Sequence, residues 1–283
     1  MHSEPAVLSP FLIHNGVLRK AGEEVLSIRD GAPARGQGAF ETIAAYSGQP
    51  FLAPAHFARL RRAAERLDLN CPSDADLVAA MKTLLTANQL SALVKARIRI
   101  TLTSPVAGGL SWFVEAGAAP PHRERARVVT IPFARNERSA LAGLKTINYG
   151  ENVVAMRHAR EAGADEALFG NTRDELCEGT WSNVFLYLNG TWLTPPLTSG
   201  CLPGVTRAVV LDLGDALGLE MREVATPLAE LPGVESAFLT SSLREIQTIA
   251  AIDGRELVEA PSLSRLREAF AAFVSRETAR LTT

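Results

Sequence analysis

The sequence predicts an α+β chain in two parts. Short, alternating, β-branched runs such as ALVKARIRITLT and WSNVFLYL read as strands. Longer stretches with apolar residues every three or four positions, such as HFARLRRAAERL and PGVTRAVVLDLGDALGL, read as helices. Between two such series lies GAAPPHRERA, whose small residues, paired prolines and charges mark a linker. The predicted division is residues 1–118, a linker at 119–125, and residues 126–283.

The elements follow in order. FLIHNGVLRKAG carries Asn15-Gly16 between apolar runs, the mark of a tight hairpin. GAFETIAAYSGQPF offers a second strand pair around Ser47-Gly48. A helix is predicted from about Ala55 to Leu67, with Pro54 at its start and Phe57, Leu60, Ala64 and Leu67 on one face. Another follows Ser73, an N-cap residue, and carries Leu77, Met81, Leu84 and Leu85. Two strands, ALVKARIRITLT and LSWFVEA, complete the first part. In the second part RVVTIPF is a strand, and NVVAMRHAREAG is a helix stopped by Gly163. DEALFGN, WSNVFLYL and TWLTP are strands separated by Asn171-Thr172-Arg173-Asp174 and by Asn189-Gly190. A helix with Pro203 near its start, strands SAFLTSS and EIQTIAAIDG, and the helix PSLSRLREAFAAFVSR close the chain.

Composition narrows the function. The 283 residues are 47% hydrophobic and 21% charged, enough apolar material for one large or two medium cores. A net charge of −2 gives no electrostatic case for nucleic acid or an anionic membrane. There is no uninterrupted apolar run of about eighteen residues, so no membrane span is expected. MHSEPAVLSPFLIHNG lacks the basic start and long apolar stretch of a signal peptide. Three widely spaced cysteines, Cys71, Cys177 and Cys201, suit a reduced cytoplasmic protein. Scattered histidines, with no CxxC or HExxH, lead us to expect no metal.

Of the 29 basic residues only four are lysines, Lys20, Lys82, Lys95 and Lys145, so amine chemistry has few places to reside. Lys145, in LAGLKTINYGENVV, lies between a strand-like stretch and a helix start. Locally it reads as a solvated loop lysine, the usual fate of lysine, or as a Schiff-base lysine. Glu178, in ELCEGTWSNVF, reads as a turn residue or as a carboxylate partner for a pyridinium nitrogen. GCLPGVTRAVV puts Gly200, Pro203 and Gly204 before a helix, whose first N–H groups and Thr206 hydroxyl could cradle a phosphate. Arg59 reads as one of several basic residues on a helix face or as a bidentate phosphate ligand. The hydroxyls of TSSLRE could reach a phosphate or cap a turn.

Together and in this order, RGQGAFET with HFARL, LKTINYGENVVA, GADEALFGN with EGTWSNVF, and LPGVTR resemble the fold-type IV, or class IV, aminotransferase family. That family includes D-amino-acid aminotransferases, branched-chain aminotransferases and 4-amino-4-deoxychorismate lyases. The match runs from IRDGAPARGQGAFET through EIQTIAAIDG, nearly the whole chain. The resemblance implies a small α/β domain and a larger β-barrel-like domain with pyridoxal 5'-phosphate (PLP) in the cleft, in a homodimer. It implies that Lys145 forms the Schiff base and shuttles the proton, and that Glu178 pairs with the pyridine nitrogen. Arg59, Val205 and Thr206 would hold the phosphate, Leu202 would pack on the ring, and Ser241 and Ser242 would lie near the cofactor.

Some positions depart from the family pattern. The common DRG is Asp30-Gly31-Ala32, Arg35 replaces a common tyrosine or phenylalanine, and Gln37 replaces the aspartate of GDG. D-amino-acid aminotransferases have a carboxylate-trapping arginine in the segment corresponding to LTSPVAGGLSW, which here has Gly108 and Gly109 and no arginine. Arg35, Arg97 and Arg99 are candidate substitutes. Phe40, Tyr149 and Trp181 are assigned with them to the substrate pocket, although Trp181 reads equally as core packing. The leading reading is a transaminase acting on a small amino acid and a 2-oxo acid. The stretch ARNERSALAGLKTIN leans toward the second reading, aminodeoxychorismate lyase, which releases pyruvate. The third is a non-catalytic PLP binder, against which the joint presence of Lys145, Glu178, Arg59 and Thr206 weighs.

Overall fold

A computed structural model describes residues 9–23 and 26–281; the first half of the stretch read above for a signal peptide, residues 1–8, lies outside them. The chain divides into two compact units. The first holds the described residues up to Pro121, then Leu144–Asn148, then the described residues from Val274 on. The second holds His122–Gly143 and Tyr149–Phe273. The units part inside the segment 119–125, and the first also takes back the five residues around Lys145.

Among the described residues the first unit is built on a six-stranded antiparallel sheet. Its elements are β1 (Phe11–His14), β2 (Val17–Lys20), α1 (Gly31–Arg35), β3 (Gly38–Tyr46), β4 (Gln49–Pro50), α2 (Ala53–Arg66), α3 (Asp74–Ala87), β5 (Lys95–Thr103) and β6 (Ser111–Ala118). The strand order is β2-β1-β6-β5-β3-β4. Asn15 and Gly16 both have positive φ, 48° and 79°, as a two-residue hairpin turn demands. Alternation along β3, β5 and β6 puts Ile43, Ile98, Ile100 and Val114 on one face, buried against α2 and α3. Phe57, Leu60 and Ala64 of α2 and Leu77, Met81 and Leu84 of α3 form the helical side of that core. Ser73 caps α3 by accepting the Asp76 N–H at 3.1 Å, a bond worth about 1 kcal/mol. Helix α2 starts at Ala53, two residues before the predicted start, with Pro54 tolerated in its first turn.

Residues 145–147 extend this sheet. The Phe40 N–H donates to the Lys145 carbonyl at 3.0 Å and the Ile147 N–H to the Gly38 carbonyl at 3.0 Å, around an antiparallel Ala39–Thr146 bridge. The segment therefore pairs with the first residues of β3, while β4 pairs with its last two. Gly38 permits this closeness: a Cβ there would lie 2.7 Å from Ile147 Cδ1 and 2.9 Å from the Leu102 carbonyl oxygen.

The second unit contains β7 (Arg125–Thr130), α4 (Gly150–Glu161), β8 (Glu166–Gly170), β9 (Leu176–Gly179), β10 (Asn183–Leu188), β11 (Thr191–Thr194), α5 (Val205–Ala216), β12 (Met221–Glu223), β13 (Ser236–Ser241), β14 (Glu245–Ile252) and β15 (Arg255–Glu256). The last helix, α6 (Pro261–Arg280), begins here and ends in the first unit. The strand order is β12-β11-β10-β13-β14-β7-β8-β9, with β15 on β14. In a flat sheet β9 and β10 would lie about 24 Å apart. The four Cα steps from Gly179 to Asn183 span at most about 15 Å, so the sheet curls on itself as a half-barrel. Val128, Leu168, Val184, Leu239 and Ile249 fill one core of this unit, and α4 packs Ala155 and Ala159 against Ala167 and Phe169 in another. Strand β9 is missing from the sequence reading, which placed Glu178 just before a strand. Only four residues long, β9 is set by its antiparallel pairing with β8 rather than by propensity. Among the described residues no helix is long and apolar enough to cross a membrane.

Candidate active site

In the first unit, Lys145 is delivered by the edge pairing onto β3. Its Nζ stands 4.5 Å from the centroid of the buried Phe40 ring, and the Arg99 guanidinium lies 3.9 Å from the same centroid. Arg99 reaches Phe40 because Phe40 pairs with Thr101 and Thr42 with Arg99, which puts all four on the face opposite the helices. The Arg99 Nε also donates to Thr101 Oγ1 at 3.3 Å. Arg97, two residues earlier, lies on the same face, half-buried. Arg35 is exposed at the end of α1 and donates to Gln37 Oε1 at 3.0 Å.

On the helix-covered face, Arg59 is not one basic residue among equals. It is buried, and its Nε and Nη2 donate to Glu41 Oε1 and Oε2 at 2.7 and 2.8 Å. His56 Nδ1 stands 2.8 Å from Glu41 Oε2. Burial alone would push the Glu41 carboxyl up, but Arg59 and His56 bring it down to about 2. Burial lowers the His56 imidazole, against the pull of Glu41, while the charges of Arg59 and Lys145 add to the lowering. Sequence reasoning missed Glu41 and His56. The available signal was an acid at an apolar-face position of a strand, followed by a histidine and an arginine three apart on a helix.

In the second unit, Glu178 on β9 accepts the Leu202 N–H at 2.8 Å and faces Arg135 Nε at 3.4 Å. Arg135 lies over the Phe169 ring at 4.2 Å and donates to Asn152 Oδ1 at 3.3 Å. Its role was not read from the sequence. The Leu202 carbonyl accepts Asn183 Nδ2 at 2.8 Å, and α5 opens three residues later at Val205 with Gly204 as N-cap. No side chain caps that helix, so the N–H groups of its first turn and the buried Thr206 point to a start without a built-in acceptor. Ser241 and Ser242 are half-buried at the β13–β14 turn, where Ser241 Oγ accepts the Arg244 N–H at 3.2 Å. Tyr149 and Trp181 stack, with ring centroids 5.3 Å apart and planes at 26°. The Trp181 N–H and the Ser182 hydroxyl both donate to Glu166 Oε1, at 2.7 and 2.8 Å, and Arg244 pairs with the other carboxylate oxygen. Cys177 and Cys201 are buried nearby. Burial pushes both thiols up, Cys201 to about 12, so they serve as small apolar fillers.

The first unit thus carries an amine beside an aromatic ring and a guanidinium, and the second a carboxylate on a curled sheet and an uncapped helix start. The chain matches the Amino-transferase class IV model over residues 38–252. It is 31% identical over 255 residues to the D-alanine aminotransferase of Bacillus licheniformis, covering 87% of this chain and 89% of that one. It is 27% identical over 280 residues to the bifunctional aminodeoxychorismate lyase / D-amino acid transaminase of Mycobacterium tuberculosis, covering 92% and 96%. Its fold is similar to that of a fold IV transaminase from Curtobacterium pusillum, with a TM-score of 0.83, 29% identity and 92% of each chain covered. The chain belongs to the class IV aminotransferase family and is an enzyme of that family, whose cofactor is pyridoxal phosphate.

Proposed function

We propose that the protein is a transaminase moving an amino group between a small amino acid and a 2-oxo acid, with Lys145 as the covalent anchor of pyridoxal phosphate. The observation that carries this is the placement of Lys145. Its carbonyl is tied to β3 by the Phe40 N–H, with a second tie from Ile147 to Gly38 two residues on, and its amine stands over Phe40 beside Arg99. The donor set fits the cofactor: an amine, a carboxylate, a buried guanidinium and an uncapped helix start. When bound, pyridoxal phosphate supplies an electron sink for negative charge on the carbon bearing the amino group.

The chain's own groups then have these tasks. Lys145 holds the cofactor and, once displaced by substrate, moves a proton as an amine base. Glu178, kept oriented by the Leu202 N–H and Arg135, holds a proton on the pyridine nitrogen. Leu202 packs against the ring. Arg59, the Val205 and Thr206 N–H groups and the Thr206 hydroxyl grip the phosphate. Ser241 already accepts a backbone N–H and retains its own O–H to donate, with Ser242 beside it. Arg99 takes the substrate carboxylate, its planar fork pre-oriented on Phe40. Arg35 and Arg97 lack that aromatic seat among the contacts described. The stacked Tyr149 and Trp181 form a wall of the substrate pocket. The same reading carries the family's usual homodimer and a cytoplasmic location, which the three unpaired cysteines support.

A second reading, aminodeoxychorismate lyase, is favoured by the ARNERSALAGLKTIN stretch and by the two activities in the name of the Mycobacterium relative. Single-donor half-reactions separate the two. D-Alanine, L-leucine or L-glutamate, added alone, should bleach the cofactor's visible absorption and release the matching 2-oxo acid. No bleaching with any of them, together with pyruvate formed from aminodeoxychorismate, would replace the transaminase with the lyase.

A further inference from the structure

We propose that Glu41, backed by His56, is a positioning residue that presets the guanidinium of Arg59 for the cofactor's phosphate. This rests on the reading of Arg59 as a phosphate ligand. Glu41 occupies the helix-covered face of β3, between Ala39 and Ile43, where the alternation calls for an aliphatic side chain. Its carboxylate is fully buried, His56 nearly so, and Arg59 is buried with a small part of its surface exposed. Both oxygens are engaged: Oε1 by Arg59 Nε, and Oε2 by Arg59 Nη2 and His56 Nδ1. A carboxylate only accepts, so the His56 Nδ1 carries a proton and donates it. His56 and Arg59 are three residues apart on α2 and project from one helical face, so one carboxylate pins two points of that helix.

Stability does not explain this arrangement, because a buried ion pair of this kind is commonly no better than apolar residues of similar volume. Orientation does. The fork-to-fork pair holds the Nε/Nη2 edge of the guanidinium and fixes its plane, and with the plane the direction in which the whole group is presented. Glu41 also acts in the opposite sense, since its negative charge partly cancels the attraction of Arg59 for phosphate. The two effects predict opposite outcomes when the charge is removed, which makes the proposal decidable.

The test compares the affinity of the full-length chain, freed of cofactor by dialysis, for pyridoxal phosphate and for pyridoxal, which lacks the phosphate. The ratio of the two affinities isolates the phosphate grip. Glu41→Gln removes the charge, and Glu41→Asp keeps it but withdraws it by one methylene, so that one variant carries the test if the other misfolds. We expect both to lower the ratio by about tenfold while leaving pyridoxal affinity near wild type. A ratio that is unchanged or raised, or a parallel loss of both affinities, would overturn the proposal. Arg59→Gln distinguishes the two levels. If it leaves the ratio intact, the phosphate role of Arg59 fails; if it lowers the ratio while the Glu41 variants do not, only the role of Glu41 fails.

Discussion

Phe40 and Lys145 are fixed to each other twice: the Phe40 N–H donates to the Lys145 carbonyl at 3.0 Å, and the Lys145 Nζ stands 4.5 Å from the Phe40 ring centroid. Arg99 shares the ring at 3.9 Å. One aromatic side chain thus seats two cations, each contact worth about 0.5–2 kcal/mol. Phe40→Leu keeps most of the buried volume, so the Tm should fall by only a few degrees. Arg99 should lose its orientation, and KM for the amino donor should rise about tenfold. Steady-state kinetics beside a melting curve check this, and an unchanged KM would remove Arg99 from the carboxylate site.

Acid should weaken the first unit through its buried histidine and glutamate. Burial holds the His56 imidazole below its ordinary value of 6.5, and its neighbours bring Glu41 from 4.5 to about 2. Both groups bind protons more weakly folded than unfolded, so their contribution is fully present above about 6.5. It is lost as pH falls, first below the histidine's ordinary value and then between 4.5 and about 2. The urea midpoint measured against pH should follow this course. In Glu41→Gln the lower limb should flatten, and a limb as steep as wild type would show that Glu41 does not carry it.

Gly204 leaves no room for a side chain. A Cβ there would lie 2.0 Å from Asn183 Oδ1, while Asn183 Nδ2 holds the Leu202 carbonyl at 2.8 Å. Gly204→Ala must shift the start of α5, at a cost of about 1–3 kcal/mol. Cofactor retention on dialysis should drop with it. Adding Asn183→Ala should restore part of the stability, and additive losses in the double variant would mean that the two residues do not collide.

Trp181 is 46% exposed, yet it stacks on Tyr149. Its backbone is held by Glu166 regardless of the side chain. Trp181→Ala should therefore cost no more than about 1.5 kcal/mol in stability, while KM for bulky and small donors shifts unequally. A large fall in Tm with unchanged donor preference would return Trp181 to core packing.

Most of the fold was legible because its signals are local. Asn15-Gly16 and Ser47-Gly48 turn hairpins by their own backbone preference, and Ser73 caps α3 within three residues. What escaped depends on distant partners. Strand β9 exists because β8 pairs with it, and the return of residues 144–148 to the first sheet is visible only in the Phe40 and Gly38 hydrogen bonds. Glu41 looked like any strand residue, since its partners lie 15 and 18 positions downstream. The three candidate arginines were equivalent in sequence. Sheet register seats Arg99 on Phe40, and the end of α1 leaves Arg35 exposed on Gln37.

Lys145 is the residue on which the rest depends, and one labelling measurement tests it directly. The yellow holoenzyme is reduced with borohydride, digested, and the pyridoxyl-bearing peptide is sequenced by mass spectrometry. The label should fall on Lys145 alone, and Lys145→Ala should give a colourless, unlabelled protein. A label on Lys20, Lys82 or Lys95, or full turnover by Lys145→Ala, would contradict the assignment.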